Sequence, residues 1–507
     1  MGLKTAISKY YASYQIKRRN RWCKHPGATQ KKVFESLIQQ AANTAFGRDH
    51  DFQNIKTYQD FKERVPIADY EALKPYAERM AAGEANVLWP GKPAYIAKTS
   101  GTTSGAKLIP ISQESMPYHI RSAKHALLSY IHETGDARFV GGKMIFLQGS
   151  PELELKNGIH VGRLSGIVAH HVPAYLQSNR MPSYETNCID DWETKVDKVV
   201  EETMVADMRL ISGIPSWVQM YFERLLERTG KRNVLEVFPN FSLFVYGGVN
   251  FEPYRSRFDE LIGGKISTVE TYPASEGFIA YQDQQNNPGL LLEINSGMFF
   301  EFIPADVYFD ENPPRLSIDE VELGVNYVLV LNTNAGLWGY SIGDTVKFVS
   351  RDPLRLVVTG RIKHFISAFG EHVIGEEVEG ALSEVAAKHG AQVVEFTVAP
   401  QVKPANGLPY HEWLIEFSKA PADADSFALD LDAALQKRNS YYEDLIQGKV
   451  LRPLVLSPVK SHGFEQYMKS VGKLGGQNKI PRLSNDRNIA DKMIASGLSS
   501  NPEGIGK

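Results

Sequence analysis

The chain has 507 residues, a formal net charge of -3, 43% apolar residues and 23% charged residues. This length exceeds one ordinary core, so a large domain plus a smaller one is expected, and the balanced charge excludes a disordered chain or one built to seek polyanions. Cys23 and Cys188 are too few for a disulfide framework or a cysteine zinc cluster, and no apolar run approaches the roughly 18 to 20 residues that span a bilayer.

A cytoplasmic protein follows as the expectation, without stable membrane insertion and without a nucleic-acid partner. One local asymmetry stands at the start, where residues 1 to 25 carry Lys4, Lys9, Lys17, Arg18, Arg19, Arg21 and Lys24 and no acid. A solvated basic helix face is the expected reading, with a surface-docking arm as the alternative.

Up to about residue 90 the pattern is helical, with Val33, Leu37, Ile38 and Ala41 on one face. From there short β-rich runs alternate with amphipathic stretches: Ala94 to Ala97 then Ser112 to Ile131, Lys143 to Leu147 then Asp190 to Met204, Met208 to Ile211 then Ser216 to Glu227. That alternation predicts a parallel or mixed sheet covered by helices. After Ser242 to Tyr246 and Thr268 to Tyr272, strands follow one another without helices between about Leu291 and Thr359, which predicts a β-rich subdomain. A fresh α+β pattern begins beyond Gly360, with a helix near Glu376 to His389, strands near Val393 to Val398 and Trp413 to Phe417, and a helix near Phe427 to Arg438. The expected class is α/β, α+β overall, with a large N-terminal domain over 1–362 and a small C-terminal domain over 363–507.

The run Tyr95 to Lys107 carries the first chemistry. It follows a predicted strand and holds Thr99, Ser100, Gly101, Thr102, Thr103, Ser104, Gly105 and Lys107. Gly101 and Gly105 let backbone N–H groups approach phosphate oxygens, Ser100, Thr102, Thr103 and Ser104 add hydroxyl donors, and Lys107 adds positive charge. The spacing is too short for a Walker A loop, and no Ser or Thr follows the lysine. The same composition also suits an ordinary turn.

Three further segments occur downstream: Thr271-Tyr-Pro-Ala-Ser-Glu-Gly277, Gly339-Tyr-Ser-Ile-Gly-Asp344, and Gly360-Arg361 followed by Phe369-Gly-Glu-His-Val373. With the phosphate loop, and in this order, they resemble the nucleotide motifs of the acyl-adenylate-forming superfamily. The segment Gly472 to Arg482 ends in Gln477-Asn-Lys-Ile-Pro-Arg482, which resembles the C-terminal signature of the auxin-responsive acyl-acid amido synthetases, here of a bacterial type. The resemblance covers nearly the whole chain. Ser341 stands where that family commonly has arginine, and Pro273 and Ala274 where it has small residues and serine.

The resemblance implies ATP as co-substrate, Mg²⁺, a small carboxylic acid and an amino acid, joined through an acyl-AMP. Lys479 is implied as the catalytic cation at the α-phosphate, and Asp344 as acceptor of the ribose hydroxyls, a task suited to a carboxylate with two acceptor oxygens. Glu276 is implied as a catalytic residue and Mg²⁺ ligand. Tyr272 and Ser275, with Gly247, Gly248 and Val249 after a buried strand, are implied around adenine, and Arg361 at the ribose or phosphates. The step from Gly360 to Lys363 is implied as a hinge. Two alternatives remain open: a coenzyme A ligase using the same adenylate, and a nucleotide-binding protein without catalysis. His160, His170, His171 and His411 lack metal-ligand spacing, and no Gly-x-Ser-x-Gly elbow of a serine hydrolase occurs.

Overall fold

The structure is a computed structural model that describes residues 3–99, 107–172, 177–248, 251–362, 373–475, 478–484 and 486–500. Residues 3–81 are mainly helical, with Leu3–Cys23, Pro26–Ala41, Ala45–Asp49, Tyr58–Arg64 and Tyr70–Ala81 among the helices. Phe34, Leu37, Ile38 and Ala41 are the buried apolar face of the second, at the spacing that a helix period dictates.

Among the described residues, eighteen strands follow in chain order. The first six are β1 (Tyr95–Thr99), β2 (Lys107–Ile111), β3 (Lys143–Phe146), β4 (Glu154–Lys156), β5 (Ile159–Gly162) and β6 (Arg180–Met181). Then come β7 (Met208–Ser212), β8 (Leu243–Gly247), β9 (Ser267–Ala274), β10 (Gly277–Tyr281), β11 (Leu290–Leu292) and β12 (Met298–Pro304). The last are β13 (Asn326–Thr333), β14 (Tyr340–Arg351), β15 (Leu354–Arg361), β16 (Gln392–Gln401), β17 (Tyr410–Lys419) and β18 (Val455–Val459).

They build three sheets: a four-stranded one ordered β2-β1-β5-β4, an eleven-stranded one ordered β12-β13-β14-β15-β11-β10-β9-β8-β7-β3-β6, and a three-stranded one ordered β16-β17-β18. In the large sheet β6, β3, β7, β8 and β9 are parallel, while β9 through β15 pair antiparallel. The strand-rich stretch after Leu290 therefore continues the parallel half edge to edge. Helix-covered strands must be apolar on both faces, and Leu210, Ile211, Leu243 and Phe244 are all fully or almost fully buried.

Helix ends depart from the expectation where local polar chemistry takes over. The helix expected from Ser112 starts at Met116. Ser112 and Ser115 exchange backbone-to-hydroxyl bonds of 2.9 Å in each direction, which makes a turn of the preceding residues. The helix Trp192–Thr203 starts at Asp191, whose carboxylate accepts from Thr194 N at 2.9 Å, and it buries Trp192, Lys195, Val196, Val199, Val200 and Thr203 on one face. The β4–β5 hairpin was not expected; its exposed Glu154, Leu155 and Lys156 lack the alternation that marks a half-buried strand.

The helices Gly375–His389 and Ala424–Gln436 pack on the three-stranded sheet around Trp413, Phe396 and Leu431. No described helix is long and apolar enough to cross a membrane.

Candidate active site

In an open α/β sheet the carboxyl ends of parallel strands leave a crevice where ligands bind. Here β8 ends at Gly247, beside Thr271 in the parallel register with β9. A Cβ at Gly247 would lie 2.3 Å from Thr271 O, so only glycine permits this approach. Gly248 follows with φ +83.

Onto this edge comes Lys479, 231 positions along the chain, with its Nζ donating to Gly248 O at 2.5 Å. The residue as a whole is solvent-exposed, yet its ammonium is hemmed in. Loss of water, and then the Arg361 guanidinium, push its pKa down to about 8, with Asp344 opposing. A Cβ at Gly248 would stand 2.5 Å from Lys479 Nζ. Gly248→Ala should therefore displace the ammonium and add backbone strain of about 1–2 kcal/mol. The reaction that the resemblance implies, adenylate formation, is expected to fall with only a modest loss of thermal stability, and an unchanged rate in a single-turnover assay would contradict this.

Asp344 on β14 sits opposite Arg361 on β15. It is 8% exposed and accepts from Tyr272 Oη at 2.5 Å and Arg361 Nε at 2.7 Å. Both carboxylate oxygens are thus engaged, each with a lone pair to spare for a ribose hydroxyl. Burial and the Asp344 charge hold the Tyr272 hydroxyl well above its usual pKa, so it stays a donor. Ser275 and Glu276 form the turn between β9 and β10, with Ser275 buried. Desolvation raises the Glu276 pKa, and Lys107 is among the charges that oppose the rise. Lys107, at the start of β2, lies 5.8 Å from the centre of the Tyr70 ring, whose hydroxyl accepts from Leu108 N at 2.9 Å.

The structure thus brings Gly247, Gly248, Tyr272, Ser275, Glu276, Asp344, Arg361, Lys107 and Lys479 to one crevice. Ser100, Gly101, Thr102, Thr103, Ser104, Gly105 and Val249, and the hinge position Lys363, lie outside the described residues. Ser341, where arginine is common in the resembled family, is buried and accepts from Tyr308 Oη at 2.9 Å.

Several contributors had no role assigned to them from the sequence. Tyr340 buries its hydroxyl close enough to Glu276 for the carboxylate to raise its pKa further. Arg482 holds the Lys479 segment from both sides: it pairs with Glu395 and with Glu379 at 3.4 Å, and it donates to the Tyr254 hydroxyl on the helix Glu252–Ile262. Lys469 bridges to Glu193 at 2.5 Å, and Leu474 packs against Trp192 and Trp217. Arg482 stood in the quoted signature, but its role depends on partners that only folding supplies. Of the histidines, His170 donates to Pro151 O at 2.8 Å and His171 bonds the Tyr95 hydroxyl at 2.9 Å.

Sequence models of the GH3 family match three stretches: its N-terminal domain over residues 15–195, its central domain over 291–361 and its C-terminal domain over 376–488. The chain is 34% identical to indole-3-acetic acid-amido synthetase GH3.15 of Arabidopsis thaliana, covering 89% of each. It is 23% identical to jasmonoyl-L-amino acid synthetase JAR6 of Nicotiana attenuata, covering 94% of each. Among solved structures it shares the fold of the AtGH3.15 acyl acid amido synthetase in complex with 2,4-DB, with a TM-score of 0.79 at 16% identity over 96% of both chains. It also shares that of 2-hydroxyisobutyryl-CoA ligase in the postadenylation state, with a TM-score of 0.59 at 14% identity over 93% of this chain and 92% of the other.

Proposed function

The chain belongs to the GH3 family of acyl-acid amido synthetases, and on that premise we propose that it activates a carboxylic acid with ATP and passes the acyl group to an amino acid. The observation that carries this reading is the Lys479 ammonium at the Gly248 carbonyl, beside the Asp344, Arg361, Tyr272 and Glu276 cluster. In the first step a carboxylate oxygen of the acid attacks the α-phosphorus of ATP, and the bond from that phosphorus to the bridging oxygen breaks to release pyrophosphate. In the second, the amine nitrogen attacks the acyl carbonyl carbon, loses a proton and expels AMP.

The protein's part is positioning and charge. Asp344 takes the ribose hydroxyls, Tyr272 and the Gly247–Gly248 backbone wall the base, and Arg361 and Lys479 the phosphate charge. The phosphate loop Ser100 to Gly105 and Lys107 hold the departing pyrophosphate. Residues 1–362 form the unit that binds ATP and acid, and 363–507 the unit that delivers Lys479, with Gly360 to Lys363 as the hinge between them.

Glu276 is the carboxylate that fits Mg²⁺. It is desolvated, with a raised proton affinity, and gains from a nearby cation. Mg²⁺ at nucleotide sites takes only one or two carboxylates beside phosphate oxygens. Among the described residues no group of three or more His, Cys, Asp or Glu forms a separate cage. Bound there, the ion would neutralise phosphate charge.

The test is acid-dependent exchange of labelled pyrophosphate into ATP, run over a panel that includes indole-3-acetic acid, jasmonic acid and 2,4-DB. The twenty protein amino acids and coenzyme A are then offered as acceptors. Exchange followed by an amide product is expected. A thioester in place of the amide would reassign the acceptor, and no exchange with any acid would sink the reading.

A further inference from the structure

At the carboxyl end of β3, two strands from Gly248 in the order β8-β7-β3, lies a second cluster of polar groups that the adenylation step leaves unused. Arg163 follows β5 directly, and its side chain lies along Gly149. A Cβ at Gly149 would stand 2.9 Å from Arg163 Cδ, 3.5 Å from Arg163 Nη1 and 3.6 Å from Ser165 Oγ, so the missing side chain makes the room that these groups occupy. Lys195, 4% exposed, closes the cluster from below by donating to Gln148 O at 3.0 Å and Asn187 O at 2.6 Å. Its pKa is pushed down to about 8, chiefly by burial and also by the Arg163 charge, against Cys188 and Asp190.

The exposed Arg163 and the buried Lys195 therefore put two positive charges close to Gly149. Glu152 and Asp190, the acids whose charges reach Cys188 and Lys195, are exposed. Among the described residues neither pairs with Arg163, and no acceptor there takes its guanidinium. Gln148 Nε2, Ser165 Oγ, Asn187 Oδ1 and Trp192 Nε1 are buried without a hydrogen-bond partner among the described residues. Donors dominate that set, and buried polar groups are normally satisfied, so the cluster is matched to an anionic group.

We propose that Arg163, with Gln148 Nε2 and Ser165 Oγ, binds the α-carboxylate of the acceptor amino acid. Two strand spacings put Gly149 about 10 Å from Gly248. From the α-phosphorus through the acyl carbon and the amine to a carboxylate held by a guanidinium is also roughly 10 Å, from covalent and hydrogen-bond lengths. An amino acid anchored here thus reaches the adenylate carbonyl with its amine. Arginine suits the role because its planar fork matches a carboxylate. The segment that carries Lys479 crosses the same wall: Gly475, with φ +77, would place a Cβ 2.8 Å from Trp192 Cβ.

This inference rests on the amide-forming reaction proposed above. Arg163→Gln and Arg163→Lys are compared with the parent enzyme, using the best amino acid of the twenty and the same amino acid as its primary carboxamide. For Arg163→Gln the KM of the free amino acid should rise about tenfold or more, the size of one lost charged hydrogen bond. Arg163→Lys should recover part of it. The carboxamide should be an equally poor acceptor for all three proteins, and acid-dependent pyrophosphate exchange, which precedes the amino acid, should keep its rate. An unchanged amino-acid KM overturns the proposal. Equal losses with acid and carboxamide also overturn it, and a raised KM for ATP or slowed exchange reassigns Arg163 to the leaving pyrophosphate. Absence of exchange in the parent enzyme would instead sink the amide-synthesis reading, and this inference with it.

Discussion

Lys479→Ala should slow adenylate formation by about 10²–10³-fold, the cost of removing one preorganised donor from a developing oxyanion, while ATP affinity moves only a few-fold. The asymmetry arises because the lysine is asked to meet charge that builds on the α-phosphoryl oxygens in the transition state; a group that acts there lowers the rate constant more than ground-state binding. Its setting adds a pH dependence. The ammonium is the useful form, and loss of water, together with the neighbouring Arg361 charge, lowers its pKa to about 8 in the ligand-free chain. The cation is therefore complete well below pH 8 and is lost as pH rises through it.

The kcat/KM for ATP reports the free enzyme, so its profile should bend downward near pH 8 and fall about tenfold per unit beyond. Lys479→Arg, with a group that stays charged, should remove that limb even if it lowers the plateau. A limb that persists in the arginine variant would assign the titration to another group, and Lys479→Ala with wild-type turnover would exclude the lysine from the step.

Asp344→Ala should weaken ATP binding by roughly 100-fold, which is two charged hydrogen bonds to ribose at about 1.5 kcal/mol each. The loss has a second, structural part. Asp344 already accepts from the buried Tyr272 hydroxyl and from Arg361, and leaving the tyrosine donor unpaired costs about 1–3 kcal/mol of stability. Asp344→Asn keeps one acceptor oxygen, so it should recover part of the stability but less of the affinity. Calorimetric titration with ATP, paired with denaturant unfolding, separates the two parts. If ATP affinity survives in both variants, Asp344 does not hold the ribose.

The mixed fold, the helical opening and the run of strands after Leu291 were readable from periodicity, because strands covered on both sides are near-continuous apolar runs and the helices show their buried stripe. Boundaries failed where polar side chains set them, as at Ser112 and Ser115. The hairpin of β4 and β5 left little signal because β4 is exposed along its length and β5 buries only Ile159 and Val161 over four residues. The segments that carry the family resemblance stand out as short runs, since glycine and hydroxyl residues in a fixed order carry backbone and donor chemistry within a few positions.

By itself, then, the sequence supplied the residues that the resemblance implies around a nucleotide: Gly247 and Gly248 after a buried strand, and Tyr272, Ser275, Glu276, Asp344, Arg361 and Lys479 within short local segments. Tertiary structure alone decided that Lys479 meets Gly248 from 231 positions away, that Tyr272 and Arg361 share the Asp344 carboxylate, and that Arg163 lies along Gly149 within reach of the Lys195 charge. Local motifs follow from backbone conformation over a few residues. These meetings follow from the strand order β8-β7-β3 and from packing between elements far apart in the chain, which short-range periodicity does not encode.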